Sequence, residues 1–385
     1  MIQTFERIVE IIDSIRSEDL VEFGRLNDNA FTRERKLTFE KLVWVILNKH
    51  GLSAAIELYA FFQRLEAESV RKQSFSTARM NLNPEVFKVL NELFIQNYYK
   101  TNEIETVYDY KIFAIDGCVQ DLVNDDKLKE EFGGITDENG EIVKVKAQTS
   151  GILDVNNNIM IDYQISPYTT NEKELAKKNI EKLLESFSNE EVLLIFDRGY
   201  PSIEFFYYLI LKGVKFIIRV AENRYKSDKK NMKTNDEFID LKLDDVRLSS
   251  VKDDEIRDLL RKKDVLRVRM TKIKLDNGDN EYLISNLCLD EMSSMDLKGL
   301  YAKRWEIEKS FDVLKNKLYM ENISGYSKIA VEQDFHSQIL IYNIVQDVTN
   351  EGNKILEQNR IKKERQEKMY KQLKKTRKSG KKIEL

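Results

Sequence analysis

The sequence predicts an α/β protein: a mixed β-sheet with helices on its faces, a β-rich insertion late in the chain, and a helical domain in front. Three observations predict it. Two short apolar runs, Lys111–Ile115 ("KIFAI") and Val192–Phe196 ("VLLIF"), have the length and bulk of buried strands, and each runs into an aspartate. Helical and strand periodicities alternate between and after them. Only three prolines, Pro84, Pro167 and Pro201, interrupt 385 residues, which favours long regular elements.

Residues 1–105 read as a helical N-terminal DNA-binding domain. Lys41–Leu47 and Ala54–Leu65 carry apolar residues three and four apart. Asn83-Pro84-Glu85 opens a further helix with a capping residue and an early proline. Two short helices with a turn over Ser74–Leu90 would suit a helix-turn-helix reader of DNA; a plain helical bundle fits the same residues.

The first part of a sheet-bearing core follows, residues 106–221. The strand Lys111–Ile115 ends at Asp116-Gly117. Lys146–Val155 and Ile159–Ile165 flank Asn156-Asn157-Asn158 as a hairpin. A helix is expected over Glu172–Phe187, a strand over Val192–Phe196 ending at Asp197, a helix over Ser202–Lys212 and a strand over Lys215–Val220. Residues 222–290 start charged and irregular. Leu266, Val268 and Met270 then alternate with Arg267, Arg269 and Thr271, and a tight turn at Asp276-Asn277-Gly278 returns as Glu281–Leu287. This is the β-rich insertion. The core resumes over 291–350 with a helix from about Ser293 to Leu318, and 351–385 is a basic tail. The order of elements matches the ribonuclease-H-like arrangement, a likeness of fold alone.

Composition bounds the function. Hydrophobic residues at 42% and charged residues at 34% describe a folded chain rather than a disordered one. The net charge of −3 speaks mildly against nucleic acid, but it averages a Lys-rich tail against acidic clusters such as Asp253-Asp254-Glu255. Cys118 and Cys288 stand in no zinc or redox spacing, which fits a reducing cytoplasm. Met1–Glu10 has no apolar leader, and no run approaches the roughly 20 residues of a membrane helix. His50 and His336 neighbour no carboxylate motif, so chemistry needing histidine is not indicated.

The carboxylates carry the chemistry. Asp116 and Asp197 at neighbouring strand ends would share one crevice. There they repel unless cations neutralise them, and hard oxygen donors suit Mg²⁺ or Mn²⁺. A lone strand-end aspartate is more often a cap. The third segment, "YAKRWEIEKSFDVLKNKL" from Tyr301, sets Tyr301, Arg304, Glu308 and Lys315 within roughly a 60° arc of one helix face. An ordinary amphipathic helix with charge pairs would show the same spacing.

These residues resemble a known family. Tyr301, Arg304, Glu308 and Lys315 match the YREK signature of DDE transposases in insertion-sequence family four, "FAIDG" resembles its first acidic motif, and "LLIFDRGYPS" its second. "STARMNLNPEVF" is similar to its N-terminal region. The resemblance implies a bacterial enzyme, cytoplasmic and nucleoid-associated, that cuts insertion-sequence ends from double-stranded DNA and joins them to a target, as a homodimer bridging two ends. It implies that Asp116, Asp197 and Glu308 are catalytic and hold two Mg²⁺ or Mn²⁺ ions about 3.5–4 Å apart, which activate the attacking oxygen and stabilise the leaving one. Tyr301, Arg304 and Lys315 would grip phosphates, with Arg198 and Trp305 beside the cut. Two other readings remain open: a transposase-derived DNA-binding protein without activity, and a ribonuclease-H-like nuclease.

Overall fold

The computed structural model describes residues 2–33, 35–102, 105–275 and 277–378. Six helices come first: α1 (Ile2–Arg16), α2 (Glu18–Phe23), α3 (Phe39–Leu47), α4 (Ala54–Arg64), α5 (Lys72–Arg79) and α6 (Glu85–Thr101). Side chains close their ends. The hydroxyls of Ser17 and Thr38 accept from the amides of Leu20 and Lys41, satisfying donors that the first turn leaves free. At α6, Asn83 Oδ1 accepts from the Glu85 amide at 3.1 Å, and Pro84 supplies the entry φ of −62°.

The N-terminal helices pack together through one face of α6. α6 buries Val86, Phe87, Leu90, Phe94, Ile95 and Tyr98 and exposes Glu85, Val89, Gln96 and Lys100. It packs against α1 and against the long last helix. The N-terminal helices and the sheet also share one continuous hydrophobic core, which runs from Ile11 and Phe94 to Phe113 and Leu194.

The sheet starts with β1 (Lys111–Asp121). Then come α7 (Asp126–Phe132), β2 (Gly134–Thr136), β3 (Ile142–Asp154), β4 (Ile159–Pro167), α8 (Glu172–Leu184), β5 (Val192–Phe196), α9 (Ile203–Leu211) and β6 (Lys215–Val220). The expected hairpin is β3–β4. The Asp154 carboxylate accepts from the amides of Asn156 and Asn157, and Asn158 takes the left-handed conformation that asparagine tolerates. β1 is antiparallel to β3 and β3 to β4, while β5 runs parallel to both β1 and β6. The resulting order β4-β3-β1-β5-β6 is the ribonuclease-H-like arrangement expected from the sequence.

The insertion contains α10 (Lys226–Lys230), β7 (Asp236–Lys242), α11 (Asp245–Ser249), α12 (Asp254–Leu260), β8 (Val265–Lys274) and β9 (Asn280–Ser285). It extends the same sheet rather than forming a separate one: β9 pairs with β6, β8 with β9 and β7 with β8, giving nine strands. Asp276 of the expected tight turn lies outside the described residues; Gly278 sits at φ +90°, where a side chain would be strained. The chain ends in α13 (Ser294–Ala302), α14 (Trp305–Asp312), a π-helical turn (Val313–Lys317) and α15 (Lys328–Lys378).

α15 joins what the sequence divides at residue 350. Its first half is core, with Val331, Phe335, Ile339, Leu340 and Tyr342 buried. From Asn353 to Lys371 it is exposed. At 51 residues it is about 75 Å long. Lys381-Lys382 of the basic tail lie outside the described residues. No helix among the described residues is long and apolar enough to cross a membrane.

Candidate active site

The register of two parallel strands builds the centre of the site. β1 and β5 pair from Lys111↔Val192 to Ile115↔Phe196. The next residue on each strand is an aspartate, so Asp116 and Asp197 emerge side by side where the two strands part. In one respect β1 differs from expectation. It does not stop at Asp116 but continues against β3 as far as Asp121↔Lys146. Asp116 therefore sits mid-strand opposite Gly151, held by a ladder on one side and open on the other.

The Gly117 amide donates to Asp116 Oδ1 at 2.9 Å, and the Gly199 amide to Asp197 Oδ1 at 2.7 Å. Burial and the neighbouring Asp197 charge push the Asp116 carboxyl up to about 7, against a partial offset from Arg304. A third carboxylate, Glu172 at the start of α8, also acts on Asp116 and is itself raised, first by burial. The crevice is thus crowded with acid and short of cation.

The third predicted segment reaches this crevice, but not as one helix. The expected helix from Ser293 to Leu318 breaks at Lys303-Arg304 and widens again at Val313–Lys317. At the break the amides of Lys303 and Arg304 bond to carbonyls three residues back, at 3.0 Å each, which tightens the turn. At the second irregularity, Leu318 bonds back to Val313, five residues away. An even 100° per residue is not kept, but the segment still turns Arg304 and Lys315 to the same strand, β1, at Asp116 and at the Val119 carbonyl, with Tyr301 and Glu308 against Arg304.

Arg304 turns inward and bridges the two motifs. Nη1 donates to Asp116 Oδ2 at 3.1 Å and Nη2 meets Glu308 Oε1 at 2.5 Å. Its side chain is 8% exposed, whereas that of Glu308 is 37% exposed. Tyr301 is buried, and neither its hydroxyl nor Arg304 Nε completes a hydrogen bond among the described residues. Lys315 Nζ donates to the Val119 carbonyl at 2.8 Å and pairs with Glu321 at 3.2 Å. Trp305 is 57% exposed with the Arg304 guanidinium 5.4 Å from its ring centroid. Arg198 is exposed and makes no ion pair among the described residues.

The donor set can be tested against a divalent ion. All donors are carboxylate oxygens, and the mutual repulsion that lifts Asp116 is what a hard cation relieves. Asp116 and Asp197 fit that chemistry. Glu308 faces Arg304, and no group of three acidic, histidine or cysteine side chains is gathered closely enough to cage an ion among the described residues.

The sequence profile of the transposase DDE domain matches residues 145–344. The chain belongs to that family. The matched span runs from β3 into the buried half of α15 and includes Asp197 and Glu308, while Asp116 lies before it. No curated protein matches the chain by sequence. Among solved structures, the chain is similar to a piggyBac transposase in a synaptic complex with hairpin DNA, at 13% identity over 89% of this chain and 74% of that one, with a TM-score of 0.43. A likeness of that size places no residue of this transposase-domain chain.

Two assignments read from sequence alone change. Arg269, which alternates with apolar residues as if to face either bound DNA or solvent, is fully buried. It pairs with Asp236 at 2.6 Å and donates to the carbonyls of Cys288 and Met292. Glu172, read only as the start of a helix, is a carboxylate of the crevice. Its signal was present in principle, since the first turn of a helix that follows the hairpin lies at the same end of the sheet as Asp116.

Proposed function

We propose that this transposase-domain chain is an active cut-and-paste enzyme of the insertion-sequence family four type, cleaving element ends and transferring them to target DNA. The observation that carries the reading is the parallel register that sets Asp116 beside Asp197, with Arg304 linking Asp116 to Glu308. Asp116, Asp197 and Glu308 would hold Mg²⁺ or Mn²⁺. When bound, two such ions supply charge neutralisation at the attacking and leaving oxygens of an in-line displacement.

The chain's own residues do the rest. The Gly117 and Gly199 amides fix Oδ1 of each aspartate, while Oδ2 of Asp116 accepts from Arg304. Arg304 offsets part of the charge of both Asp116 and Glu308, and the half-exposed Glu308 would complete the set of carboxylates that hold the metal. Tyr301, with its ring centroid 5.9 Å from the Arg304 guanidinium, and Arg304 itself would grip a phosphate oxygen. Trp305 and Arg198, both exposed, are free to meet bases and backbone beside the cut. Lys315 grips a phosphate by exchanging its bond to Val119. The DNA partner is double-stranded, as ends and as target, and two copies of the chain hold two ends.

The test is cleavage of a labelled duplex that carries the native element end, with Mg²⁺ or with chelator, comparing the parent with Glu308→Gln. Metal-dependent nicking at the element boundary, lost in the variant, is the expected result. Binding without cutting points to an inactive DNA-binding relative. Cutting without regard to end sequence points to a nuclease.

A further inference from the structure

Glu172 is the first residue of α8, behind the cap of Asn171, whose side chain accepts from the Lys173 amide. Its carboxyl group is lodged against the backbone of Gly117. A Cβ on that glycine would lie 2.6 Å from Glu172 Cδ and 2.7 Å from Cγ, so only glycine leaves the niche open. The buried Tyr200 hydroxyl donates to Glu172 Oε1 at 2.9 Å. The other oxygen faces the second aspartate turn: a Cβ on Gly199 would stand 3.0 Å from Asp197 Oδ1 and 3.8 Å from Glu172 Oε2.

One carboxyl group therefore touches both segments that carry the catalytic aspartates. Asp116 precedes Gly117 on β1. Asp197 and Tyr200 lie within one four-residue turn after β5. Beyond Ile115↔Phe196 the two strands no longer pair, so no backbone ladder holds the aspartates at a fixed separation. We propose that Glu172 is a positioning residue that sets the spacing of Asp116 and Asp197 for divalent-cation binding, by wedging against Gly117 while it is anchored by Tyr200. The proposal rests on the metal-dependent reading of the site.

The mechanism requires the shape and the accepting oxygen of Glu172, not its charge. Glutamine keeps both, because its side-chain oxygen accepts from Tyr200 and its amide fills the niche. Alanine keeps neither. Partners that orient metal ligands without touching the ion change affinity by about 10- to 100-fold when removed.

The experiment is titration of the full chain with Mn²⁺ followed by electron paramagnetic resonance, with a thermal melt of each variant. The parent, Glu172→Gln, Glu172→Ala, Tyr200→Phe and Asp116→Asn are compared. Asp116→Asn should abolish binding at the site. Glu172→Ala should weaken it by about tenfold or more, and Glu172→Gln should bind close to the parent. Parental affinity in Glu172→Ala overturns the proposal while leaving the metal site standing. Equal losses in Glu172→Gln and Glu172→Ala also overturn it, since the charge would then be what matters. A parent that takes no Mn²⁺ removes the metal-dependent reading and this proposal with it. If Glu172→Ala does not melt cooperatively, Tyr200→Phe decides, because it deletes only the anchoring hydroxyl: weaker binding is expected, and parental affinity overturns the proposal.

Discussion

Asp116 and Asp334 are the same residue type in one molecule and are treated in opposite ways. Asp334, in the buried half of α15, accepts from Arg79 at 2.8 Å, Lys49 at 3.2 Å, and the Ser324 amide and hydroxyl at 2.7 and 2.9 Å. Against the cost of burial, the two cations hold it down at about 2. Asp116 has one cation, which it shares with Glu308, and two acidic neighbours, and it is raised to about 7. The interior carboxylate is satisfied in full and ties α5 and the end of α3 to α15. The crevice carboxylate is left under-compensated, as a group kept for a cation from outside would be.

The comparison breaks most sharply on activity. Asp116→Ala, Asp197→Ala or Glu308→Gln should each lower end cleavage by at least about 10³-fold while leaving end binding largely intact. Single-turnover cutting beside a gel-shift measurement checks this, and a variant that cuts at the parental rate loses its assigned metal role. The same Asp116 change should cost little stability without metal, because it removes an uncompensated charge.

Asp334→Ala should behave in reverse. It strands Arg79 and Lys49 in the core and should destabilise the fold by about 3–5 kcal/mol, read by denaturant unfolding. A loss below about 1 kcal/mol would show that the cluster is not a structural tie.

Acid should act on the interior site next. Asp334 has a folded value of about 2 against 3.8 for the free group, so its contribution is fully present above pH 3.8 and fades as pH falls towards 2. The difference corresponds to about 2 kcal/mol. Unfolding free energy measured between pH 5 and 2 should show this slope, and Asp334→Asn, compared as a difference, should lack it.

The smallest expected effect lies at the rim. Lys315→Ala should weaken DNA binding modestly and reduce the logarithmic salt slope by about one. An unchanged slope would mean that Lys315 serves only Val119 and Glu321.

Much of this was written in local sequence. Val192–Phe196 and Lys215–Val220 are strands with the expected bounds, because a short apolar run between polar turns has few alternatives. The Asn156–Asn158 turn announced its hairpin through residues that tolerate left-handed backbone. The presence of Asp116, Asp197 and Glu308 in their motifs was equally legible. Tertiary structure decided what no periodicity encodes. It broke the Tyr301–Lys315 helix at Lys303-Arg304 and turned Arg304 inward to Asp116 on β1, 188 residues away in sequence. It buried Arg269 by supplying Asp236 from a neighbouring strand. It brought Glu172 to Gly117 across the hairpin. The sequence determines which segments are strand, helix or turn, since those preferences act over a few residues. Which charge meets which is settled only when distant segments share one low-dielectric space, and that is a property of the packed chain.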